Sequence, residues 1–101
     1  MHIVIAEATI DPSQREAMLA LGKPMIEASR AKPGCLGYSD SFDLLSPTTM
    51  RITELGRDEA ALKSHFTTPH RAAFQAGLGK LSVSNLVLKS YLVDREIPFP
   101  C

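Results

Sequence analysis

Four proline-bearing breaks limit what this chain can fold into more than any other feature: Asp11-Pro12, Lys32-Pro33-Gly34, Ser46-Pro47-Thr48-Thr49 and Thr67-Thr68-Pro69. Proline has no amide hydrogen and a fixed φ, so each break ends one regular element or opens the next. Ahead of the first break, His2 to Thr9 is rich in β-branched and apolar residues and reads as a strand. Behind it, Asp11 is placed to cap a helix, Pro12 suits the first helical position, and Gln14 stands at the spacing of a capping box. Met18, Leu21, Met25 and Ala28 then recur at helical intervals, which predicts one amphipathic helix to about Ala31, kinked at Pro24 beside Gly22.

The second break stops that helix. Cys35 to Asp43 follows as an extended segment with Leu36, Tyr38, Asp40 and Phe42 in one phase, and Met50 to Leu55 returns across the third break as the second arm of a hairpin. Asp58 is a candidate cap for a short helix in which Ala61, Leu62, His65 and Phe66 share a face, so His65 is expected to point inward. Thr68 and Pro69 open another helix, with His70, Phe74, Gly77, Leu78 and Leu81 along one side. From Ser82 to Asp94 the chain is apolar in both phases of a last strand, and residues 96–101 read as a non-helical tail.

This order predicts an α+β chain of the ferredoxin-like, split βαβ class: one domain over residues 1–101, with an antiparallel sheet and its helices on one face. Such a sheet leaves its other face bare, yet Ile3, Ile5 and the final strand are apolar, so a partner sheet is expected to cover it. A chain of this size also buries only about two thirds of its unfolded surface, which makes self-association useful. Eleven basic residues balance eleven acidic ones without a run of either sign, which argues against nucleic acid and membrane surfaces as partners. With no signal-peptide pattern at the first residues and no long apolar run, a cytoplasmic location is expected, with Cys35 and Cys101 as reduced thiols rather than a pair.

The chain resembles the antibiotic biosynthesis monooxygenase family, small dimeric α+β barrel proteins that include cofactor-independent quinol and polyketide oxygenases. The residues that carry the likeness are Lys32-Pro33-Gly34-Cys35-Leu36 with Tyr38, then Glu54, Asp58-Glu59-Ala60-Ala61-Leu62 with His65, and Thr68-Pro69-His70 with Phe74. The resemblance implies a homodimer with sheets packed face to face and a cleft in each subunit between its sheet and helices. It also implies catalysis without a bound cofactor on an aromatic, quinol or polyketide-like molecule. Two departures stand out: Gly56 occupies a position where relatives often carry tryptophan, and Glu7, Ala8 and Thr9 stand where oxygenases tend to carry asparagine. Haem-degrading relatives place an iron-ligating histidine on the later helical segment, but without the tryptophan and the asparagine, haem is disfavoured here.

Among individual residues, His65 is the expected proton acceptor, since imidazole gains and loses a proton near neutrality; the alternative is a core histidine satisfied by its neighbours. Glu54 would orient that ring, or else pair with Arg51 or Arg57. Tyr38, Asp40, Phe66, His70 and Phe74 are the candidates to line the substrate site, the alternatives being plain core for the aromatic residues and a surface or packing role for His70, with Asp40 drawing a partner from Lys89 or Arg51. His65 and His70 are five residues apart across a helix break, not at the spacing of a metal-binding pair, so no metal site is expected. The rival to an enzyme is a non-catalytic dimeric binding or stress-response module of the same fold.

Overall fold

The computed structural model describes residues 1–99. Strand β1 (His2–Ile10) runs to the Asp11-Pro12 break, where a single 3-10 turn, Pro12–Gln14, precedes helix α1 (Arg15–Ala31). The expected capping box does not form. Asp11 accepts from the Ser13 amide instead, and the Gln14 side chain accepts from the amide of Ser82 at the far end of the chain. Helix α1 is one continuous element that carries Pro24 inside it. Gly34, at φ 88°, turns the chain into strand β2 (Cys35–Phe42), which pairs with β3 (Thr49–Gly56) as the predicted hairpin. Two short helices follow, α2 (Glu59–Phe66) and α3 (Pro69–Leu78), and β4 (Val83–Leu92) closes the sheet.

The sheet is antiparallel throughout, in the order β2-β3-β1-β4, as the ferredoxin-like class requires. Its pairing register puts His2 opposite Gly56, Val4 opposite Glu54, Ala6 opposite Ile52 and Ala8 opposite Met50, while Tyr38, Asp40 and Phe42 extend those rows onto β2. This face meets the helices: Ile10, Met18, Met25, Tyr38, Met50 and Phe74 form the buried core. Helix α1 packs on β2, and α3 packs on α1. An irregularity in the pairing between Cys35 and Gly37 takes Leu36 out of the phase of Tyr38, and Leu36 is exposed rather than inward.

The helices leave the opposite side of the sheet open. Leu86, Val87, Leu88, Tyr91 and Leu92 are all exposed, so β4 is bare on both of its faces, not only on the one turned away from the helices. None of the described helices is long and apolar enough to cross a membrane. Glu96 to Phe99 form no regular element, and Cys101, with the reading of its thiol, lies outside the described residues.

Candidate functional site

Two caps fix the segment that carries His65. Asp58 accepts from the Ala61 amide at 2.8 Å and starts α2; Thr68 accepts from the Arg71 amide at 3.4 Å and starts α3. The Thr68 hydroxyl also donates to the His65 carbonyl at 2.7 Å, so one side chain ties the end of α2 to the start of α3. The His65 ring is thereby set among Tyr38, Phe66 and His70, with ring centres 5.8–5.9 Å apart. Its Nε2 lies 3.3 Å from Oε1 of Glu54, with only 12% and 11% of the two side chains exposed. The pair is within ion-pair distance but is not aligned as a hydrogen bond, for Nε2 has no hydrogen-bond partner. Arg51 and Arg57 do not compete for Glu54: Arg51 binds Glu7 and Asp43, and Arg57 binds Asp58.

Unpartnered polar atoms are concentrated around this pair. Among the described residues, Ser29 Oγ, Tyr38 Oη and His65 Nε2 are buried without hydrogen-bond partners, and all three residues line one cavity of about 30 Å³, together with Glu54 and His2. That is space on the scale of a single water molecule. Burial, then the nearby charges of Asp40 and Glu54, push the Tyr38 phenol upward, so it keeps its proton at any ordinary pH. His70 contacts the Thr68 hydroxyl through Nε2 at 3.2 Å. Desolvation first, then His65 and Lys32, lower its pKa and favour the neutral ring.

A second and much larger space opens away from this cavity, with none of its lining residues in common. It is a cleft of about 730 Å³ between α1 and the β2–β3 face, lined by Met18, Gly22 and Ile26 from the helix and by Asp40, Phe42 and Met50 from the sheet. Asp40 lines this cleft, and its Oδ1 is buried without a partner among the described residues. The expected partners are absent because the pairing register turns them away: Asp40 stands opposite Ile52 on the helix-facing side, while Arg51 and Lys89 belong to the alternate phase. Burial, with Glu54 adding to it and Arg30 opposing, raises the Asp40 carboxyl from 3.8 to about 6. Arg15 lies 4.3 Å from the centre of the Phe42 ring, at the rim of the same cleft.

The predicted site residues therefore divide. His65, Glu54 and Tyr38 meet at the small cavity, and Asp40 meets the large cleft, joined to Tyr38 only through β2. Phe74 is part of the core, and Phe66 is 46% exposed beneath the Arg71 guanidinium. The helix side of the cleft was not legible in the sequence, where Met18 and Met25 read alike as core positions; only Met18 reaches the cleft. The sequence likewise gave no sign that His2 fills the space at Gly56. Its ring packs where a β-carbon of residue 56 would sit, and its Nδ1–H donates to the Asp58 carbonyl at 2.7 Å.

A sequence profile described as antibiotic biosynthesis monooxygenase matches residues 1–77. The chain belongs to that family. Bacillus subtilis YcnE, provisionally named a monooxygenase, is 32% identical over 77 residues, which span 75% of this chain and 80% of YcnE. An uncharacterized Synechocystis protein, sll1783, is 35% identical over 68 residues; the match spans 67% of this chain and only 46% of that relative. Among solved structures, a Deinococcus radiodurans protein provisionally described as an antibiotic biosynthesis monooxygenase superposes with a TM-score of 0.91 at 25% identity, over 100% of both chains. Membership of the monooxygenase family accounts for the sheet-and-helix layer in which both cavities lie.

Proposed function

We propose that the protein is a monooxygenase-type oxidoreductase that acts on an aromatic, quinol or polyketide-like molecule held between sheet and helices, without a bound flavin or metal. His65 takes the proton, with Glu54 beside it to balance the charge of the protonated ring. The observation that carries this reading is the 3.3 Å pairing of His65 with Glu54, two side chains largely buried from solvent, where a carboxylate and an imidazole interact more strongly than in water. The deprotonated substrate, a carbanion or phenolate, then supplies the electrons. One atom of dioxygen enters the product, and the other leaves as water. Because the cavity at His65 is only about 30 Å³, a substrate reaching it must displace one of the aromatic side chains around that ring. Oxygen uptake with a panel of quinols and polyphenols tests the assignment, and equal turnover by wild type and His65→Ala would remove His65 from it.

The protein in this reading is a cytoplasmic homodimer. The apolar side chains on both faces of β4 support the second copy, since leaving them in water is unfavourable. A second reading, a non-catalytic module that binds a small molecule, is favoured by one observation: the open cleft meets Asp40 and not His65. Binding without oxygen uptake across the panel distinguishes it.

A further inference from the structure

The cleft between α1 and the sheet has the volume of a small-molecule site and, at its wall, a carboxylate with an unmet requirement. A buried carboxylate oxygen is normally held by a donor, because removing it from water without one is costly. Among the described residues, Asp40 Oδ1 has none. Its neighbours on each packed element leave Oδ1 unsatisfied: Tyr38 on its own strand, Glu54 on β3, which repels it, and Arg30 on α1, whose Nε donates to the Tyr38 carbonyl instead. The two remaining charged groups at the cleft, Arg15 and Glu16, lie at its α1 end, with Arg15 stacked on Phe42. A β-carbon at Gly22 would stand 3.5 Å from Oδ2 of Asp40, so Oδ2, beside the helix wall of the cleft, is the oxygen turned to an occupant, while Oδ1 stays buried behind it.

We propose that Asp40 anchors the ligand of this cleft. Its carboxylate accepts a hydrogen bond from a hydroxyl or amine on a neutral or cationic aromatic molecule, whose apolar body rests on Met18, Ile26, Phe42 and Met50. The inference deepens the small-molecule reading of the layer and rests on it. Two methionine thioethers on opposite walls suit an aromatic ring, since sulfur makes favourable contacts with ring edges. Glu54 adds negative charge near Asp40, which disfavours a carboxylate or phosphate beside that side chain. The anchor works while Asp40 is ionised, and protonation converts it from an acceptor into a donor.

The probes are 1-naphthol and its methyl ether, which share a ring system and differ in the ability to donate. Binding of each to the full chain is followed by calorimetry and by backbone amide shifts. Wild type should bind the naphthol about ten-fold or more tightly than the ether, the range of a hydrogen bond to a charged acceptor. Asp40→Leu should erase that preference, and Asp40→Asn should reduce it. Lowering the pH from about 8 to about 5 should narrow it in wild type but not in Asp40→Asn, which also carries the test should Asp40→Leu not fold. Equal binding of the two probes by wild type, or a preference that survives in Asp40→Leu, would overturn the anchor while leaving the cleft as a binding site. If neither probe binds, the small-molecule reading of the cleft falls, and the anchor with it.

Discussion

The imidazole of His2 lies over the α-carbon of Gly56, its partner across the β1–β3 pairing, and closes the end of the cavity that His65 and Glu54 share. A methyl group at position 56 would overlap ring atom Cε1, and the ring cannot withdraw without giving up its hydrogen bond to the Asp58 carbonyl. Gly56→Ala should therefore destabilise the fold by roughly 1–3 kcal/mol, the cost of overpacking a filled site. His2→Ala, in the same background, should recover part of that loss. Chemical denaturation of the four members of the cycle measures the coupling, and strict additivity would show that the two positions do not share the space.

Asp40 offers a pH test. Its carboxyl titrates near 6 in the fold, above its ordinary 3.8, so the unfolded chain gives up the proton first. Stability contributed by the protonated form is full below about pH 4 and is lost as pH rises through about 6. Asp40→Asn should leave stability unchanged in acid and raise it by roughly 1–3 kcal/mol at about pH 8, as read from urea unfolding. A variant no more stable than wild type at the higher pH would mean that the carboxylate is solvated.

Thr68 joins two helices through one hydroxyl. Thr68→Ala removes the cap on α3 and the bond to the His65 carbonyl together, and should cost about 1 kcal/mol. Amide exchange at Arg71 should accelerate, while Thr68→Ser should behave as wild type. Unchanged protection at Arg71 in the alanine variant would show that the cap contributes nothing.

Strand β4 should set the oligomeric state. Sedimentation of wild type is expected to give a dimer, and Leu88→Lys combined with Tyr91→Lys should shift it toward monomer, because the two side chains put charge on both apolar faces of the strand. A wild-type monomer at high concentration would leave those faces without the proposed partner.

Much of the architecture was written locally. Asp58 and Thr68 cap α2 and α3 as their positions in the sequence predict, and the spacing of Ala61, Leu62 and His65 sends the histidine inward. Capping and helical periodicity act over three or four residues, and such signals survive in a bare sequence. They also fail locally where two options compete, as at Gln14, whose side chain serves Ser82 rather than a capping box.

What the sequence determined by itself, then, is the order of elements and the facing of residues near a cap or turn. Only the tertiary structure decided which side chains meet. Leu36 left its expected phase through an irregularity in strand pairing, and Asp40 was separated from Arg51 and Lys89 by the register that faces them the other way. His2 reached Gly56 from fifty-four positions away in the chain. The physical reason is the same in each case. A cavity, an unpaired carboxylate and a filled gap are properties of packing between distant segments, and no short-range preference of the backbone encodes them.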